Sequence, residues 1–131
     1  MERQHITILD QHTLALETDA APEPGMGELL IAVDFAGVNR ADVLQRVGLY
    51  PVPADASPIM GLEVAGTIVA IGSAVQDWVV GDKVCALVHG GGYANYAIAR
   101  ADHSLPIPSQ FDTRSAAALP EALLTVWHNI F

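Results

Sequence analysis

Glu63 stands in the run GLEVAGTIVAIG, residues 61–72, which is otherwise made mainly of glycine and aliphatic side chains. Such a run reads as a strand buried on at least one face, with glycines where the backbone bends or is approached closely. An ionised carboxylate is costly there unless something pairs with it. The favoured reading of Glu63 is structural, a carboxylate pairing with a nearby cation or with backbone donors at the edge of a cleft; direct catalysis is the competing role. Asn39 offers a donor and an acceptor on one amide, at the entrance of a short helix. It serves as a helix cap, as a cofactor contact, or as both. Tyr50 follows a helix ended by Gly48 and precedes Pro51, on a loop where packing does not require a phenol. Loops on rigid scaffolds often hold binding groups.

The other reactive side chains read more plainly. Cys85, between Val84 and Ala86, is a buried small residue. A single cysteine excludes an internal disulfide framework and a zinc site built from several thiolates. His5, His12, His89, His103 and His128 lack metal-ligand spacing such as i, i+4 on a helix. Gly90-Gly91-Gly92 fails as a phosphate cradle, because no G-x-G-x-x-G and no Walker sequence occurs. It reads as a tight turn between strands.

These residues are positioned by a chain of short strands. Residues 12–18 alternate polar and apolar, and 28–36 form a longer apolar strand, with the Pro/Gly-rich DAAPEPGMG between them. NRADVLQRV, 39–47, has apolar residues at 43, 44 and 47 and reads as a short helix that Gly48 ends. Prolines 51, 53 and 58 keep the next stretch irregular. Strands resume at 62–71, 83–88 and 93–99, with Gly81-Asp82 a turn. Many short strands with Gly/Pro turns argue for an all-β barrel or sandwich. The tail is helical: Asp112 is an N-cap, and Pro120 sits in the first turn of a second helix. That helix reaches the last residue without a glycine stop, which reads as a cut.

The chain has 131 residues, 51% of them hydrophobic and 16% charged, which fits one globular domain. No run approaches the ~18 apolar residues of a membrane helix. The start, MERQHITILD, is unlike a secretory signal. A formal charge of −9, with scattered basic residues, argues against nucleic acid and against an anionic membrane surface. A cytoplasmic compartment is expected.

Four ordered segments carry a family resemblance: GVNRADVLQRVGLYP (37–51), GLEVAGTIVAIG (61–72), VGDKVCALVHGGGYANYAIA (80–99) and ALPEALLTVWHNIF (118–131). Together they resemble the N-terminal catalytic domain of the medium-chain dehydrogenase/reductase superfamily, and within it the zinc-independent NADPH:quinone oxidoreductases of the zeta-crystallin type. The resemblance implies a mainly β fold: a GroES-like, partly open β-barrel over residues 1–117, with a few short helices. Residues 118–131 would begin a linker helix into a nucleotide-binding Rossmann domain that this chain lacks.

Zinc-dependent alcohol dehydrogenases of the superfamily carry a metal-binding histidine where this chain has Leu62, and a zinc-binding cysteine where it has Asn39. A proton-relaying Ser or Thr is replaced by Ala41. Leucine has no lone pair for zinc, and a neutral amide is a poor substitute for thiolate. The resemblance therefore implies a metal-free site. An alcohol needs its proton removed before hydride leaves, a step that zinc assists. A quinone or activated alkene is already electrophilic and accepts hydride with positioning and one hydrogen bond. Asn39 and Tyr50 are the expected catalytic residues. Both are also expected beside the nicotinamide, together with Thr125, which matches a family threonine there; an ordinary helix threonine bonding its own backbone competes with that role. Asp42 resembles the family's retained acid on the short helix, but a solvated or Arg-paired residue is the stronger reading. The expected cofactor is NADPH, with NADH left open, bound mainly by the missing domain. An enoyl reductase of the same superfamily, and a non-catalytic GroES-like interaction module, are the alternatives. The expected partners are a small quinone or enone and a second copy of the chain; the apolar stripe Leu119, Leu123, Val126, Trp127 and Ile130 is expected to make the 131-residue chain self-associate, with folding back onto its own barrel as the alternative.

Overall fold

The computed structural model describes residues 1–10 and 13–131. Its body is an antiparallel five-stranded sheet in the order β6-β3-β4-β5-β7. The strands are β3 (Glu28–Ala36), β4 (Glu63–Ile71), β5 (Lys83–Leu87), β6 (Tyr96–Arg100) and β7 (Ser104–Pro106). A separate hairpin joins β1 (Glu2–Ile8) to β2 (Leu14–Ala20). The helices are α1 (Arg40–Arg46), α2 (Thr113–Ala116) and α3 (Pro120–Ile130). The architecture is mainly β, a curled half-barrel with three short helices, as the family resemblance implies.

β3 organises the sheet. Its Leu29, Leu30 and Ile31 are consecutive and at most 2% exposed, so both faces of the strand are covered. That explains a continuous apolar run where a half-buried strand would alternate. Register shifts against β4 at Leu30/Ile31 and Val33/Phe35 bend the pair and help the sheet curl. The core beneath comprises Leu29, Ile31, Val64, Ile68, Val84, Ala86 and Val88 with Ala97 and Ala99. Each fully buried large aliphatic residue is worth roughly 1.5–3 kcal/mol. Gly66 lies where β4 crosses β3, and a Cβ there would meet the Ala32 carbonyl oxygen at 2.0 Å.

Several expected boundaries fall elsewhere. The strand expected from residue 93 starts at Tyr96, because residues 93–95 are taken up by the hairpin. The Ile6 N–H donates to the Tyr93 carbonyl at 2.9 Å, and the Asn95 N–H to the Gln4 carbonyl at 3.0 Å. Strand β2 runs two residues further than expected, to Ala20, while His12, the expected first residue, lies outside the described residues. Among the described residues, no helix is long and apolar enough to cross a membrane.

Candidate functional site

Two buried carboxylates set the local geometry. Asp42, 3% exposed, is the third residue of α1 and reaches back to the Asn39 N–H at 2.8 Å. It also accepts from the Gly61 N–H at 3.2 Å and from the Tyr93 hydroxyl at 2.9 Å. The expectation of a solvated or Arg-paired Asp42 is therefore corrected: neutral donors from three segments enclose it. Burial, and then the adjacent Asp42 carboxylate, push the Tyr93 phenol well above its ordinary value.

Glu63, also 3% exposed, opens β4. One of its oxygens accepts from Asn39 Nδ2 at 3.0 Å, the other from the Glu121 N–H in the first turn of α3 at 2.9 Å. Of the partners expected for it, the backbone donor is found, joined by a side-chain amide. Glu63 is buried rather than at the edge of a cleft. Gly37 makes room: a Cβ there would lie 2.1 Å from the nearer Glu63 oxygen.

Helix α1 ends as its sequence predicts. The Gly48 N–H donates to the Gln45 carbonyl at 3.0 Å and the Leu49 N–H to the Leu44 carbonyl at 2.8 Å, with Gly48 at φ +73°. This pair of bonds is a Schellman stop, in which glycine takes the left-handed position without penalty. The stop delivers Tyr50 to an open depression of about 460 Å³. Leu62, Leu87, Val88 and Leu124 give the depression apolar lining; Tyr50, Thr125, His128 and Asn129 give it polar atoms. Glu121 and His89 complete it, and the described lining residues include no Lys or Arg.

Tyr50 and Thr125, far apart in sequence, thus meet on one surface. Asn39 does not line it, because its amide N–H₂ is directed to Glu63. Leu62 does line it. Thr125 is exposed and its carbonyl accepts from Asn129 Nδ2 at 2.7 Å. His89 pairs with Asp55 at 3.2 Å, and that bond holds the exposed Asp55 carboxyl below its ordinary value. Cys85 is buried as expected; burial pushes its thiol up, and it points to the Leu105 carbonyl at 3.6 Å.

A larger depression of about 930 Å³, lined by Glu28, Trp78, Arg100 and Asp102 among others, holds none of Asn39, Tyr50 and Thr125. Its arginine is already paired with Asp102 at 2.7 Å, so size alone does not make it the site. Tyr93, Gly37 and the Glu121 N–H were not singled out from sequence. Tyr93 follows a glycine triplet, but nothing local signals a partner 51 positions away.

A family described as the alcohol dehydrogenase GroES-like domain matches residues 25–109. The chain is 36% identical over 120 residues to the polyketide synthase GfsB of Streptomyces halstedii, spanning 92% of this chain and 2% of that protein. It is 33% identical over 105 residues to the synaptic vesicle membrane protein VAT-1 homolog of Danio rerio, 80% of this chain and 22% of that one. Among solved structures, the human VAT-1 homolog-like protein superposes with a TM-score of 0.90 at 29% identity, over 100% of this chain and 43% of that chain. The quinone oxidoreductase from Coxiella burnetii gives 0.85 at 27% identity, over 98% and 44%. The CurK enoyl reductase gives 0.85 at 26%, over 98% and 41%. The chain therefore spans less than half the length of each of these proteins.

Proposed function

Since the chain belongs to the alcohol dehydrogenase GroES-like domain family, we propose that it serves a metal-free reductase of quinones or activated alkenes. The family sits in the medium-chain dehydrogenase/reductase superfamily. The observation that carries the reading is Leu62 lining the depression shared by Tyr50 and Thr125. Zinc does not fit these residues. Leu62 has no lone pair, the Asn39 N–H₂ donates to Glu63, and both Glu63 oxygens already accept. No step is therefore assigned to a metal.

A nicotinamide ring end does fit. Its carboxamide needs a donor and an acceptor, and the Tyr50 and Thr125 hydroxyls supply both. When bound, NADPH or NADH supplies a hydride; its pyrophosphate would be held by residues outside this chain. Tyr50 donates a hydrogen bond to the oxygen that gains charge as the acceptor is reduced. Leu62, Leu87 and Val88 offer flat apolar surface to a planar acceptor. A lining with one carboxylate and no Lys or Arg suits a neutral acceptor better than an anionic one. Asn39 acts indirectly, through Glu63.

Enoyl reduction is the second reading, favoured by the likeness to the CurK enoyl reductase. Residues 1–117 form the substrate-side domain in this proposal, and 118–131 lead toward the cofactor domain. The protein is proposed to work in the cytoplasm. The test is a panel on the intact protein: NADPH and NADH against quinones, enones, enoyl thioesters and alcohols, with and without chelator. Chelator-insensitive reduction of quinones or enones is expected. Stoichiometric zinc whose removal abolishes activity would sink the metal-free site, and no hydride transfer at all would favour the non-catalytic interaction module.

A further inference from the structure

The structure assigns Glu63 as a positioning residue: its carboxylate ties the start of α1 to the start of α3 and so keeps Tyr50 and Thr125 on one depression. The inference rests on the reading of that depression as the reaction site.

Its two oxygens are divided between two elements. Asn39 Nδ2, at the entrance of α1, donates to one, and the Glu121 N–H in the first turn of α3 donates to the other. The first-turn N–H groups of a helix lack intrahelical partners, and the helix dipole favours a negative group beside them. Glu63 meets both needs for α3. The rest of the hold on helix α3 is also at its first turns, where Pro120 is buried and Leu124 half-buried against β4 and β5, while Leu123, Val126, Trp127 and Ile130 are 49–68% exposed. A helix held at its first turn is aimed by that turn. Thr125 lies four residues beyond Glu121, about 6 Å along the axis at 1.5 Å per residue. A tilt at Glu121 therefore displaces Thr125 relative to Tyr50, which the end of α1 holds independently.

The chemistry limits what can replace Glu63. Aspartate is one methylene too short to reach both donors. Glutamine has the right length, and its amide can serve both if Asn39 turns its amide over and accepts. Gly37→Ala offers an independent perturbation, since the new Cβ would meet the Glu63 Cγ at 2.7 Å and push the side chain away.

The test uses spin labels on Leu49→Cys and Val126→Cys, two exposed positions off the lining. Cys85 is 1% exposed, so the introduced thiols take the label. The label-to-label distance distribution is measured in the intact protein, alongside kcat/KM for a quinone in unlabelled variants. With Glu63 unchanged the distribution is expected to be narrow. Glu63→Ala and Gly37→Ala should broaden or shift it and lower kcat/KM between about tenfold and about a hundredfold. Glu63→Gln should restore both. If Glu63→Ala fails to fold, Gly37→Ala and Glu63→Asp carry the same comparison. A distance unchanged in folded variants overturns the tie. A shifted distance with unchanged kcat/KM leaves the tie standing and overturns the depression as the reaction site.

Discussion

Asp42 is a buried carboxylate accepting from two backbone N–H groups and one phenol. Removing it strands the Asn39 and Gly61 N–H groups, at about 1–3 kcal/mol for each that stays buried, while the Tyr93 hydroxyl keeps the Gly37 carbonyl at 3.3 Å. Asp42→Ala should therefore cost several kcal/mol in chemical denaturation, enough to threaten a domain of ordinary stability. Tyr93→Phe leaves Asp42 its two backbone donors and should cost about 1–2 kcal/mol. A loss below experimental error for either would contradict this account. The raised Tyr93 value gives the pH dependence its sign. A phenol that holds its proton more tightly when folded contributes in full below its ordinary value of 10.0. The contribution falls as pH rises above that value and is lost through the folded one. In an absorbance titration one of the three tyrosines should ionise only with unfolding.

Legibility at the level of elements followed the range of the interaction. Strand β3 was read with its observed bounds, because Leu29 to Val33 are an unbroken apolar run. The Asp112 cap was readable too: its carboxylate accepts from the Ser115 N–H at 2.7 Å, within one turn. Strand β1 has no such signal, since ERQHITI mixes charge, amide and aliphatic groups without a clean period. The family motifs singled out Tyr50 and Thr125, but Glu63, and Asp42 beyond its bond to the Asn39 N–H one turn back, depend on contacts between distant segments that leave no local signal. Glycine substitutions separate two kinds of constraint. Gly48 is at φ +73° with nothing within 4 Å of a built Cβ, so Gly48→Ala meets only backbone strain, about 1–2 kcal/mol. Gly66→Ala drives a methyl against the Ala32 carbonyl at 2.0 Å and should break the β3–β4 pairing. Urea melts should show a modest shift for the first and loss of cooperative folding for the second. Equal shifts would contradict the steric argument.

The whole molecule carries a formal charge of −9, which opposes association, and an apolar helix face, which favours it. On α3, Leu123, Val126, Trp127 and Ile130 are about half exposed or more, and Trp127 stacks near Phe131 at 5.0 Å. Each such side chain gains roughly 1.5–3 kcal/mol on full burial. The 131-residue chain is accordingly expected to self-associate. Light scattering over a concentration series should show this rising with salt, as repulsion is screened. Trp127→Gln with Leu123→Gln should restore a monomer. A monomeric wild-type chain at every concentration and salt would contradict the expectation.

The β1–β2 hairpin meets the rest of the protein mainly along residues 93–95, through the Ile6 and Asn95 backbone bonds and the Gln4 N–H to Asn95 Oδ1 at 2.8 Å. Its Leu14 and Leu16 are 40% and 64% exposed, and His5 is the buried residue of β1, so peeling the hairpin away uncovers chiefly His5 and the half-buried Ile6 and Ile8. In amide-exchange terms the hairpin is a low-energy opening unit, separate from the five-stranded sheet. Its β2 amides should take up deuterium together, well before those of β3 and β4. The segment it leaves exposed includes Tyr93, whose side chain stays bonded to Asp42 while its backbone carbonyl loses Ile6. The start of α1 should therefore keep its protection when the hairpin opens, so the candidate site can outlast the loss of the first twenty residues of chain.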